Sequence, residues 1–165
     1  MADLSQELQQ QVGATSELLS TRGLSLATAE SCTGGWVAKA MTDRAGSSSI
    51  FECGLVTYSN RAKQRLLGVK PDTLAQQGAV SQAVVEEMVL GLFQASDADV
   101  GVSISGIAGP GGGTQGKPVG TVWMAWGRDG RLVTSRCYRF DGDRDRVRLQ
   151  SVIEALAGVQ QLLLA

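Results

Sequence analysis

Apolar positions first recur along the chain at helical spacing. Leu4, Leu8, Val12, Thr15 and Leu19 fall three or four apart and Gly23 ends the run, which predicts an amphipathic opening helix. Leu24 to Ala29 is then a compact stretch of small and apolar residues that reads as a short strand. After Glu30-Ser31-Cys32-Thr33-Gly34-Gly35, the segment Trp36 to Met41 returns to helix. Ile50 to Tyr58 resembles a second strand, interrupted by Gly54, and Ser59 or Asn60 can cap a helix that runs to about Leu67 and stops at Gly68. Pro71 opens a short helical turn closing near Gly78. The clearest amphipathic helix is Ser81 to Ala95, with Val84, Val85, Met88, Val89, Leu92 and Phe93 on one side. Asp99 to Ser105 is a strand that runs into the glycine-rich stretch Gly106 to Gly113. Val119 to Trp126 and Leu132 to Phe140 form a hairpin turning at Asp129-Gly130, and a last helix begins at the Asp141-Gly142-Asp143 cap.

Helices and strands alternate, and then two strands pair directly. That order predicts an α/β fold, a three-layer α/β/α sandwich with a mixed sheet, as a single domain over residues 1–165. With 43% hydrophobic residues the chain can build a core, and a net charge of -1 gives no general reason to bind nucleic acid or membrane. The opening residues Met1 to Glu7 lack the pattern of a signal peptide, and no apolar run approaches a membrane span. Cys32, Cys53 and Cys137 are odd in number and never form a C-x-x-C pair, so neither a disulfide framework nor a thiolate metal site is expected. The expectation is a soluble cytoplasmic protein without cofactor, in which exposed apolar faces would suit a homodimer.

Chemistry is constrained most by a count of zero. The chain has no histidine, which removes Ser-His-Asp and Cys-His catalysis, histidine-based zinc sites and the imidazole pH switch. Acid-base work must come from a carboxylate, lysine, tyrosine or cysteine of shifted pKa. Two familiar nucleotide motifs fail on context. Gly111 to Gly116 satisfies G-x-G-x-x-G, but a strand is expected after it where a dinucleotide site needs a helix. With Lys117 the same stretch resembles a P-loop, yet Pro118 stands where Ser or Thr should hold magnesium. Asp141, Asp143 and Asp145 suggest a calcium loop, but Arg146 and Val152 occupy the positions that need Gly and Glu, so helix capping is the better account and no metal is expected.

Three segments remain. The first, Glu30 to Gly35, is a strand end turning into a helix, where Ser31 could be a nucleophile and the amides near Thr33 and Gly34 could hold an oxyanion; the bland role is that Ser31 or Thr33 only caps the helix. Cys32 is the rival nucleophile, since a helix start could lower its pKa. In the second, Tyr58 ends a strand and Lys63 follows in the next helix. Lacking histidine, a serine would find its natural partner in lysine, with Tyr58 relaying the proton or orienting the amine; an exposed surface lysine is the plain alternative. The third segment carries Arg144, Arg146 and Arg148, of which Arg144 or Arg148 could reach an anionic ligand together with the Gly106 to Gly109 backbone; surface ion pairs are the alternative.

Taken together, Thr28 to Gly35, Val56-Thr57-Tyr58-Ser59-Asn60, Ser103 to Pro110, Lys117 to Val122 and Gly142-Asp143-Arg144 resemble the CinA C-terminal domain family, in the same order and from about Leu4 to Leu163. The resemblance is closest to its stand-alone nicotinamide-nucleotide amidase members. It implies a three-layer α/β/α fold and metal-free hydrolysis of the carboxamide of nicotinamide mononucleotide, releasing ammonia, in pyridine nucleotide recycling. It also implies Ser31 as nucleophile, assisted by Lys63 and Tyr58. Larger relatives carry a further N-terminal domain whose activity is not expected here. A nucleotide-binding regulatory or interaction module of the same fold is the rival reading.

Overall fold

The computed structural model describes residues 3–165. Its elements are helix α1 (Leu4–Arg22), strand β1 (Leu26–Glu30), α2 (Trp36–Thr42), a single 3-10 turn at Ser47–Ser49, β2 (Phe51–Val56), α3 (Asn60–Leu67), α4 (Pro71–Gln77), α5 (Gln82–Ala95), β3 (Val100–Gly106), β4 (Thr121–Arg128), β5 (Arg131–Arg139) and α6 (Arg144–Leu164). The strands form one sheet in the order β2-β1-β3-β4-β5. β1 pairs in parallel with β2 and β3, and β4 and β5 continue antiparallel, giving the mixed sheet that the strand pattern predicts.

Each face of the sheet has its own core. Leu26 on β1, Val102 and Ile104 on β3 and Trp126 on β4 pack under α1, α2 and α6, while Ala27, Ala29 and Ala125 meet α5 through Val85, Met88 and Leu92. Burial on both faces is why β1 carries small and apolar residues continuously rather than in alternation. Two glycines set how closely helices approach. A Cβ at Gly158 would fall 2.1 Å from Trp126 Cε2, so α6 can lie against the indole, whose Nε1 donates to Ala155 O at 2.9 Å. A Cβ at Gly91 of α5 would fall 1.7 Å from the carbonyl oxygen of Leu67, the last residue of α3.

Where strand limits differ from expectation, backbone hydrogen bonds explain the shift. The first strand begins at Leu26 rather than Leu24, because Gly23 in left-handed conformation closes α1 and the Leu24 N–H donates to Leu19 O. The second ends at Val56, and the carbonyls of Thr57 and Tyr58 turn out of the sheet toward Lys63. Gly54 does not interrupt it. Glycine is needed there because a Cβ would lie 2.9 Å from that of Ala38 on α2. The hairpin's first strand begins at Thr121, after Gly120 turns the chain with φ 95°. Among the described residues, no helix is long and apolar enough to cross a membrane.

Candidate active site

The parallel strands β1 and β3 end side by side, at the sheet edge where α/β folds place ligands. The chain leaves β1 at Glu30 and turns tightly, with the Gly34 N–H donating to Ser31 O at 3.1 Å and both Gly34 and Gly35 at positive φ. Glu30 organises this turn. Its carboxylate is fully buried and accepts from Thr33 Oγ1 at 2.7 Å, Thr28 Oγ1 at 3.0 Å, and the amides of Val37 and Ala38 at 3.0 Å each. The start of α2 is therefore capped by a side chain seven and eight residues upstream, not by Ser31 or Thr33. That corrects the capping alternative and leaves the Ser31 hydroxyl free of structural duty. The available signal was an acid ending an apolar strand, which must find donors if buried.

Lys63 comes from the first turns of α3, whose N-cap Ser59 accepts from the Ala62 N–H at 3.0 Å. The lysine is only 1% exposed, which overturns the surface-lysine alternative. Its Nζ lies 2.9 Å from Ser31 Oγ, 2.8 Å from Thr57 O and 3.1 Å from Tyr58 O. Among the described residues no carboxylate forms a salt bridge with it. Burial accordingly pushes its pKa below the ordinary 10.5.

Tyr58, expected either to relay the proton or to orient the amine, meets Lys63 through its main chain. Its carbonyl orients the amine, whereas the residue is 62% exposed and its hydroxyl accepts from Arg144 Nη2 at 3.2 Å. Cys32, the rival nucleophile, lines the same cavity as Ser31. The thiol is buried, and that burial pushes its pKa up to about 12 despite the helix start beside it.

A cavity of about 270 Å3 opens over Ser31 and Lys63, walled by Tyr58, Ser105, Gly106, Gly109 and Arg144 among others. Ser105 and Asn60, also on its wall, lie in segments that carry the family resemblance, although their spacing assigns them no role in the site. The candidate anion residues divide. Arg144 reaches the cavity, with Nη1 donating to Gly109 O at 2.7 Å. Arg148 lies behind the turn, donating from Nε to Cys32 O at 3.0 Å and from Nη2 to Thr33 O at 3.2 Å. With Thr33 and Gly34 it lines a second, larger cavity of about 1090 Å3. Of the two amides expected to hold an oxyanion, that of Gly34 is engaged by Ser31 O, while that of Thr33 has no acceptor among the described residues. Gly106 is glycine for packing, since a Cβ would lie 2.6 Å from Val122 Cγ2. Asp143 caps α6, accepting from the Arg146 N–H at 2.9 Å, as helix capping requires.

Known proteins are similar to this chain along most of its length. It is 54% identical over 158 residues to the nicotinamide-nucleotide amidohydrolase PncC of Escherichia coli (strain K12), covering 96% of this chain and 94% of that protein. A protein of the same name from Pseudomonas putida is 58% identical over 135 residues, covering 82% and 84%. The crystal structure of the competence/damage inducible protein CihA from Agrobacterium tumefaciens superposes with a TM-score of 0.92 at 39% identity, over 96% of each chain. The family description "CinA C-terminal domain" matches residues 6–163, and with the order of motifs and the sheet topology in agreement, the chain belongs to the CinA C-terminal domain family.

Proposed function

We propose that this chain is a nicotinamide-nucleotide amidase, which hydrolyses the carboxamide of nicotinamide mononucleotide to nicotinate mononucleotide and ammonia and so serves pyridine nucleotide recycling. The observation that carries the reading is the buried Lys63 amine, 2.9 Å from Ser31 Oγ in a chain without histidine. The names of the similar proteins supply the substrate.

A neutral amine has two N–H donors and one lone pair. The carbonyls of Thr57 and Tyr58 take the two donors, so the lone pair is left for the Ser31 hydroxyl. Ser31 Oγ attacks the carboxamide carbon as Lys63 takes its proton. The negative oxygen that forms is assigned to the main-chain amides of the turn that follows Ser31. Lys63 then returns the proton to the leaving nitrogen, and ammonia departs from a Ser31 ester. Water attacks that ester, giving its proton to Lys63, and the acid leaves as Ser31 regains a proton. Arg144, at the cavity wall and already oriented by Gly109 and Tyr58, is the cation for the nucleotide phosphate.

Ammonia release from nicotinamide mononucleotide by purified protein tests the reading. Release by wild type that is lost in Ser31→Ala is expected; equal release by both would sink the serine mechanism. Nucleotide binding without any release would favour the non-catalytic module.

A further inference from the structure

Ser105 stands one residue before the end of β3 and is only 1% exposed. β3 pairs with β1 through Ala29 opposite Ser103 and Glu30 opposite Ile104, and the Ser31 N–H donates to Ile104 O at 3.0 Å. Carried on by one residue, that register sets Ser105 beside Ser31. Side chains alternate along a strand, and on these two strands Ala27, Ala29 and Ser103 face α5. Ser31 and Ser105 therefore turn to the same face, and both line the cavity over Lys63.

No structural duty accounts for the Ser105 hydroxyl. Ser103, two residues earlier, gives its own to Val85 O at 2.6 Å. Among the described residues the Ser105 hydroxyl has no partner in the protein, and unlike the sealed, unpartnered hydroxyls of Ser16 and Thr57 it opens on a cavity. A hydroxyl at that depth needs a partner. Ser31 does not serve, because strands about 4.8 Å apart hold such neighbours beyond hydrogen-bond reach. The gap takes a group of the substrate instead.

Lys63 decides which group. Its amine is held by the carbonyls of Thr57 and Tyr58 beyond the end of β2, and in the order β2-β1-β3 it flanks Ser31 on the side opposite Ser105. Lys63 returns the proton to the leaving nitrogen, so the nitrogen turns toward β2. A carboxamide carries its oxygen and nitrogen on opposite sides of its carbon, and the oxygen then turns toward β3.

We propose that Ser105 is a further catalytic residue of the amidase reaction: its hydroxyl donates to the carboxamide oxygen as negative charge develops there, alongside the main-chain amides of the turn. The proton stays on Ser105 throughout. Strand pairing with β1 on one side and β4 on the other fixes its backbone, so the donor is in place before the charge appears. A bond that strengthens only in the transition state acts on turnover rather than on binding. This inference rests on the proposed amidase function.

The test is steady-state ammonia release by wild type, Ser105→Ala and Ser105→Cys from nicotinamide mononucleotide and from its thioamide analogue, whose sulfur accepts hydrogen bonds weakly. On the carboxamide, Ser105→Ala is expected to lose about 100-fold in kcat with KM changed by less than about threefold, the size seen when one oxyanion donor is removed. On the thioamide the same substitution should cost less than about fivefold, because the bond it removes is already weak. Ser105→Cys keeps the shape but offers a weak S–H donor, and should repeat the pattern with a loss of at least about tenfold on the carboxamide. It carries the test if the alanine variant fails to fold. Equal losses on both substrates mark a packing role and overturn the proposal, as does a raised KM with kcat retained. Wild type that releases no ammonia from the carboxamide overturns the amidase reading, and this inference with it. An active wild type with unimpaired variants overturns this inference alone.

Discussion

Where β1 gives way to α2, Glu30 is fully buried and receives four hydrogen bonds, two from threonine hydroxyls and two from helix amides. Where β2 gives way to α3, Lys63 is almost as deeply buried, yet among the described residues it meets only neutral oxygens and no counter-ion. The two corners lie beside each other, since Glu30 pairs with Val56 across the parallel strands. One corner stabilises a charge and gains a rigid turn from it. The other withholds countercharge and gains a base. A nucleophile placed between them needs both, because the base must reach a hydroxyl that does not wander.

The largest expected effect comes from removing what the two corners share. Ser31→Ala should reduce ammonia release by at least about 10^4-fold while leaving the melting temperature nearly unchanged, since Glu30 and not Ser31 carries the turn. Lys63→Met should cost about 10^3-fold in kcat, and Lys63→Arg should not restore it, because a guanidinium keeps its proton. Recovery of activity in the arginine variant would remove the contrast between a compensated acid and an uncompensated base.

The same contrast sets a pH dependence. Activity should rise with pH as Lys63 loses its proton, with an inflection below the ordinary lysine value of 10.5. Between that lowered pKa and 10.5 the unfolded chain binds a proton that the folded chain lacks, so the Lys63 contribution to stability grows as pH rises through the window. Below the window the contribution is flat. Denaturant titrations of wild type and Lys63→Met across the window measure it, and identical slopes would mean that the folded amine is not depressed.

Glu30→Gln tests the other corner: an amide cannot accept all four donors, and a loss of about 2 kcal/mol in unfolding free energy is expected. Unchanged stability would show that the turn does not need the charge. The smallest expected effect belongs to Cys32→Ala, because burial holds the thiol in its protonated form. Its kcat should stay within about threefold of wild type.

Element order and both cores were legible because helical and strand periods differ and β1 is buried on both faces. The absence of histidine made Ser31 and Lys63 the natural pair, but their contact spans 32 residues and depends on β1 and β2 pairing in parallel, which no local pattern encodes. Glu30 escaped notice because a turn-adjacent acid looks solvated until the helix amides above it are placed. Arg144 and Arg148 were interchangeable by spacing, since both fall on one side of a helix. One helical turn of rise, about 6 Å, puts them on opposite sides of the Ser31 turn.

Gly91 never comes near the cavity, yet it acts as a spacer for it. Because α5 has no side chain there, the Leu67 carbonyl can settle against its backbone, and Leu67 and Lys63 are buried on the same face of α3. Any larger residue at 91 must push α3 away and carry the amine off with it. The gauge of the reactive pair is thus set from a helix that supplies none of its atoms, and loss of turnover in Gly91→Ala would be a change of distance, not of chemistry.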